Sequence, residues 1–320
     1  MEQASAMKKT SFKAFIRKNI SFAAFIILFV FFAVTAQGKF LTGDNLLTVV
    51  GSSMDLLVIA LGATFIILMG SIDLSCGSML SLCGVIAAMT LQSTGNTLLA
   101  IFAAIGISLI CYFITGFAYA KMKVPSFIAT LGMLSMARAV VTMISGGTVI
   151  MIPFESPFKQ FIGMQPWLVI IGIAAFVIVL IIERYTLFGR YTRLIGGDET
   201  VAKLSGIKVD RHKLMVFLFA GVMTALGGVI MASRIGSGSP AVGQGYELNV
   251  ISAVVLGGTS QQGGIGGVKG TLVGALTLGM LANGLVLLGM PSEVQLLVKG
   301  IVLILAVFVS MEREPNMVVK

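Results

Sequence analysis

Between Glu183 and Lys213 the chain reads ERYTLFGRYTRLIGGDETVAKLSGIKVDRHK, and nearly everything before and after it is apolar. This longest polar stretch holds seven of the 22 Lys and Arg residues: Arg184, Arg190, Arg193, Lys203, Lys208, Arg211 and Lys213. Around that island the 320 residues are 57% apolar and 11% charged, with a mean hydropathy of +1.02. A soluble domain carries roughly 25% charged residues, so the imbalance reads as an all-α polytopic membrane protein. The net charge of +9 raises nucleic acid as a partner. The charges argue against it, because the one basic loop is poor in aromatics and most other charges flank apolar runs, as membrane topology requires.

The middle of the island spells a short helix with readable ends. Asp198, after Gly196-Gly197, can accept from the free N–H groups of a first turn. Glu199 complements the positive helix N-terminus, and Gly206 can take the left-handed conformation that ends a helix. Between Asp198 and Gly206 lie too few residues to be stable alone in water, where about 12–15 are needed. The helix must pack on something, through Val201 and Leu204, with Ile207 just beyond. Two readings stay open: a solvated loop packed on the rest of this chain, or a docking site for another protein.

A spanning helix needs about 20 apolar residues. Runs of that kind fall at 20–36, 46–69, 74–92, 97–120, 126–144, 166–183, 214–233, 248–260, 268–288 and 294–310, about ten in all. The eighth is too short to cross alone, so it is broken or extended by 242–247. The first follows a basic start and resembles a signal peptide, but its length makes it an uncleaved span. This organises the chain as a tail over 1–19, a transmembrane domain over 20–310 with the polar loop 184–213 inside it, and a tail over 311–320. With the N-terminus inside, 17 of the 22 basic residues sort to the cytoplasm. Only Lys39, Lys159 and Arg234 fall outside, while Arg138 and Lys299 lie within spans. That asymmetry places both termini and the polar loop in the cytoplasm. The loop 145–165 is then the longest outside connection.

The polar residues inside apolar runs are few. Gly70 to Ser78 reads GSIDLSCGS, and a carboxylate at bilayer depth is costly unless it faces protein or water. Asp73, with Ser71 and Ser75, can cap the following helix and turn the chain inside the membrane, and it can also line a solute path. Asp55 is a second such residue with no obvious partner. The stretch 257–270 is glycine-rich, but Val268 separates Gly267 from Lys269, so it is no phosphate-binding P-loop. It reads as a hairpin leading into Gly266, Gly270 and Gly274, whose four-residue spacing suits close helix packing. Asn249 and Asn283 are placed to bond neighbouring helices or to meet a solute. Cys76, Cys83 and Cys111 lack metal-ligand spacing, and His212, the only histidine, has no carboxylate partner in the sequence. With no nucleophile–base pair, no catalytic residue and no metal cluster, an enzyme is poorly supported. Broken helices around a few buried polar groups form a transporter-like pattern, and the chain has no ATP-hydrolysing motif of its own.

Three stretches carry a family resemblance: GSIDLSCGS at 70–78, GRYTRLIGGDETVAKLSGIKV at 189–209, and YELNVISAVVLGGTSQQGGIGGVKGTLVGALTLGMLANGLVLLG at 246–289. Together they resemble the membrane permease subunits of bacterial ABC importers for ribose and related monosaccharides, over about 20–310. Thr130-Leu131-Gly132 and Val298-Lys299-Gly300 are similar too. The resemblance implies a type II importer-like permease fold in the bacterial inner membrane, usually a homodimer. It implies a separate cytoplasmic ATPase that binds ATP and Mg, and a periplasmic sugar-binding protein. It also makes the island helix a coupling helix, with Asp198, Glu199, Val201, Ala202, Leu204, Ser205 and Gly206 meeting the ATPase. The match departs from the family at Thr200 and Val201, where alanines are usual, at Ser71, where glycine is usual, and at Ile265. Competing readings are permeases of the same superfamily for autoinducer-2, nucleosides or branched-chain amino acids, an ion-coupled transporter using Asp55 and Asp73, and a structural or sensory subunit.

Overall fold

In the computed structural model, residues 20–36 and 38–310 are described; both tails lie outside them. The described residues form a helical bundle with one two-residue strand pair. Helix α1 is Ile20–Thr35, α2 Gly43–Ser52, α3 Met54–Leu68, α4 Cys76–Thr94, α5 Thr97–Ala120, α6 Ser126–Ser145 and α7 Trp167–Tyr185. The polar island follows as α8 Leu187–Gly197 and α9 Glu199–Leu204. Then come α10 Val209–Ile235, α11 Tyr246–Leu256, α12 Val268–Leu287 and α13 Ser292–Ser310. Strand β1, Ile150–Met151, pairs antiparallel with β2, Ser237–Gly238.

Among the described residues, 7 helices are long and apolar enough to cross a membrane: Gly43–Leu68, Cys76–Thr94, Thr97–Ala120, Ser126–Ser145, Trp167–Tyr185, Val209–Ile235 and Val268–Leu287. These fall where the apolar runs predict them. The expected total of about ten is not reached on this measure. The apolar part of α1, Phe22–Thr35, and α11 are shorter. At 11 residues, α11 is about 16 Å long, half of a hydrocarbon core roughly 30 Å thick.

Helix α3 shows why the bundle closes around it. Every residue from Met54 to Leu68 is buried, as expected of a helix apolar on all sides. Helix α10 packs along it, with Gly62 against Ala220 and Met223, and Gly227 against Ile59. Small residues at these contacts let the backbones approach, which drives helix association where lipid is as apolar as leucine. Helices α4, α11 and α12 complete the inner layer, and α5, α6 and α7 present broad apolar faces outward. The bundle has two ends. One carries the polar island; the other carries the β1–β2 pair and the start of α2.

Candidate functional site

At the island end, Asp198 caps α9 as its sequence predicts. Its Oδ1 accepts from the N–H groups of Thr200 (2.7 Å) and Val201 (3.0 Å). The helix ends at Gly206, whose φ of +81° is the left-handed turn that favours glycine. Ser205 is exposed and donates its hydroxyl to the Val201 carbonyl (2.9 Å). The helix is held by Ala202, which is buried, not by the expected Val201–Leu204 face. Those two side chains turn away from the chain, and Leu204 is 84% exposed. In a helix of 6 residues, facing Ala202 inward rotates both of them outward.

Glu199 ties α9 to the bundle. Its carboxylate takes ion pairs from Lys203 (2.6 Å) and from Lys213 (2.7 Å) of α10. Burial opposes its charge, but the two lysines outweigh burial and hold its carboxyl below the usual range. Lys213 is buried and lies 4.6 Å above the Tyr119 ring of α5. Beside it, His212 shares a 2.8 Å hydrogen bond with Thr192 and sits between the Phe188 and Tyr191 rings. Glu183 anchors the other side of the island. It accepts from Arg193 (2.6 Å) and from the Val268 N–H at the start of α12 (3.1 Å). Gly196, at the end of α8, is seated against the Leu68 carbonyl and the Gly264 amide. The glycine-rich hairpin thus locks the island to the end of α3, and Gly264 N–H donates to Leu68 O (2.8 Å).

The turn 70–75 climbs from that end back into the bundle. Ser71 donates to the Tyr119 hydroxyl (2.7 Å). Asp73 is 4% exposed. Its Oδ1 accepts from the Ser75 N–H (2.8 Å) and hydroxyl (2.6 Å), and its Oδ2 accepts from Tyr112 (2.6 Å), which also meets Thr224 of α10 (3.0 Å). The expectation that Asp73 caps α4 is therefore corrected. Ser75 precedes the helix without a side-chain cap, and the carboxylate braces the turn against α5 instead. Asp73 and Ser75 are both buried and their polar atoms are taken up inside the protein.

Asp55, expected to lack a partner, has two: Oδ2 accepts from Tyr246 (3.0 Å) and Arg234 (3.3 Å). Charge sorting puts Arg234 in an outside loop; it lies in the last turn of α10 with its side chain turned back onto α3. Asn283 donates to Asn45 (2.9 Å), tying α12 to α2. Asn249 is half-buried on α11 and makes no side-chain hydrogen bond among the described residues. Of the glycine stripe, Gly270 and Gly274 lie against the Gly257 and Ala253 carbonyls of the α11 end. Gly266 is corrected: it lies in the hairpin, before α12 begins at Val268, and meets Thr259.

The sequence left the eighth run broken or extended by 242–247, and did not show which residues hold this second interruption. Between β2 and α11 the residues 239–245 form an irregular segment pinned by Arg138. Its guanidinium donates to the carbonyls of Pro240 (2.8 Å) and Gly243 (3.2 Å). Glu247 follows in the first turn of α11, packed against Gly77 at the start of α4, and its Oε2 is enclosed without a partner. The available signal was the shortness of the eighth apolar run and the unexplained Arg138 within a span.

Comparison with known proteins follows this geometry. Residues 45–307 match a family described as branched-chain amino acid transport system / permease component. The ribose import permease protein RbsC of Escherichia coli K12 is 37% identical over 310 residues, covering 94% of this chain and 96% of its own. The same-named protein of Bacillus subtilis 168 is 38% identical over 312 residues, 96% of each. The L-arabinose transport system permease protein AraH of E. coli K12 is 35% identical over 255 residues, covering 78% of this chain and 77% of its own. No solved structure matches.

Proposed function

The chain belongs to the branched-chain amino acid transport system / permease component family, and we propose that the cargo it carries is a ribose-like monosaccharide. It is a permease subunit of an ABC sugar importer, a transport component and not an enzyme. An ATPase and a binding protein are the partners such a permease works with. The finer reading is a second permease copy completing the path, ATP and Mg bound on the ATPase, and lipid around the outer helices. In it α1, α11 and α13 bring the crossings to about ten, with both termini and the island cytoplasmic.

The observation that carries the coupling role is the exposed pair Val201 and Leu204 on a doubly capped helix. In this reading Asp198 and Gly206 fix the ends of the coupling helix, Ala202 forms its inward face, Glu199 ties it to α10, and Ser205 leaves room for close approach. The ion-coupled alternative is not favoured. Asp73 is consumed by three hydrogen bonds and Asp55 is paired with Arg234. Nor are the other cargoes of the superfamily, since the relatives just described are named for ribose and arabinose.

The test is uptake of labelled ribose into proteoliposomes holding the permease and its ATPase, with binding protein outside and ATP inside. Uptake that requires ATP and binding protein and survives an ionophore is expected. Uptake that collapses with the ionophore, or proceeds without ATP, would overturn the reading. Orientation is checked separately. A cysteine at Thr200 should resist an impermeant thiol reagent in intact spheroplasts and react after lysis.

A further inference from the structure

The segment between β2 and α11 lies at a depth where lipid cannot solvate it. Helix α11 ends at the island end, where Gly257 meets Gly270. With 11 residues it reaches back about 16 Å, so Tyr246 starts near the middle of a core roughly 30 Å thick. Arg138 gives the same depth from the other side. Helix α6 starts at the island end, where Ser126 accepts from the Ile72 N–H. Arg138 lies about 18 Å along it and grips Pro240 and Gly243. Gly243 is fixed from within as well, its N–H donating to Ser81 (2.9 Å).

The outer side of the segment is open. Ala241, Gln244, Gly245 and Leu248 are exposed, and Glu247 beside them is half-buried, with its unpartnered Oε2 enclosed against Gly77. Irregular backbone at membrane depth is tolerated only against protein or a water-filled cavity. A carboxylate there marks the same kind of place. We infer that residues 239–247 line the solute path, with Gln244 and Glu247 meeting the hydroxyls of a neutral polyol as it crosses. The chemistry fits: the carboxylate oxygen of Glu247 that is not enclosed can accept from a hydroxyl, and an amide both donates and accepts. Arg138 is a positioning residue, since its two hydrogen bonds go to the segment's own carbonyls.

This inference rests on the permease reading, and its test separates the two. Gln244→Cys is made in a background lacking Cys76, Cys83 and Cys111, alongside Ile114→Cys on the exposed face of α5. Both are reconstituted with ATPase and binding protein, and ribose uptake is measured in the same vesicles. A charged methanethiosulfonate reagent is the probe. It should modify Gln244→Cys at least about tenfold faster than Ile114→Cys, because a thiolate forms in water and not in lipid. Ribose delivered by the binding protein should slow that reaction. One result overturns the inference while uptake stands: a Gln244→Cys as inert as Ile114→Cys. Should the cysteine variant fail to assemble, Glu247→Gln gives the second reading. It should keep assembly and raise the ribose concentration for half-maximal uptake; unchanged half-saturation contradicts the inference. Loss of ATP-driven uptake in the parent would count against the permease reading instead.

Discussion

Among the described residues the chain leaves helical geometry inside the bundle at 70–75 and at 239–245, and these two breaks are finished in opposite ways. In the first, Asp73 spends both oxygens on Ser75 and Tyr112, and Ser71 is tied to Tyr119. In the second, the backbone is pinned by Arg138 and Ser81, while Gln244 is left exposed and the half-buried Glu247 keeps an Oε2 without a partner. The difference separates two jobs that the sequence alone merges. A break whose polar groups are satisfied is scaffold. A break with polar groups left over is where a polar solute finds partners. The closed break is wired to the island through Ser71, Tyr119, Lys213 and Glu199.

The largest effect expected is at the closed break. Asp73→Leu strips the Ser75 N–H and hydroxyl of their partner and leaves Tyr112 only Thr224; each buried group left unsatisfied costs roughly 1–3 kcal/mol, against a total stability of about 5–15 kcal/mol. The variant should fail to accumulate in membranes, as read by size-exclusion of a fluorescent fusion. Asp73→Asn should accumulate, because its oxygen still accepts from Ser75 and Tyr112 can turn to donate to Thr224. Normal accumulation of the leucine variant would mean that this turn is not braced by its carboxylate.

Next comes the wire's outer end. Burying one leucine is worth roughly 1.5–3 kcal/mol, and a carboxylate in its place must be desolvated. Leu204→Asp should therefore weaken ATPase docking by at least about tenfold, with the chain still in the membrane. Co-purification of the ATPase measures it, with Lys203→Gln, at an exposed ion pair, as the near-neutral control. Wild-type co-purification of Leu204→Asp would remove the docking role from α9. Inside the wire, Lys213→Met should leave the ATPase bound but cut its stimulation by loaded binding protein by about fivefold or more. Lys213→Arg should restore most of it. A smaller effect follows from Glu199. Its carboxyl is held below the ordinary 4.5 in the folded chain. Its contribution is present above that value and is lost as pH falls through the lowered folded-state value. Thermal unfolding in detergent should show Glu199→Gln closing on wild type as pH drops below about 4.5. A gap that is unchanged or widens contradicts the tie to Lys213.

Sequence shows most clearly what is set locally. Asp198 and Gly206 end α9 as their side-chain chemistry dictates, and the long apolar runs became the long helices. It shows less of what depends on three-dimensional neighbours. Asp73 reads as a cap because Ser75 and the next helix are adjacent in sequence, whereas its decisive partner, Tyr112, is 39 residues away. Asp55 looked alone because Arg234 and Tyr246 lie 179 and 191 residues on. Val201 and Leu204 form an apolar face either way. Which way it turns was decided by Ala202, too small for periodicity to notice. Gln244 and Glu247 sit at the edge of an apolar run and carry no local signal of depth.

The contrast between the breaks is tested most directly by measuring ATP-driven ribose uptake for Asp73→Asn and Glu247→Ala side by side, at matched permease and bound ATPase. Asp73→Asn should keep at least about half of wild-type uptake, since the turn stays braced. Glu247→Ala should lose about tenfold, the size of one charge-assisted hydrogen bond to the solute. The opposite order, with Asp73→Asn inactive and Glu247→Ala unimpaired, would put the solute at the closed break and contradict the assignment.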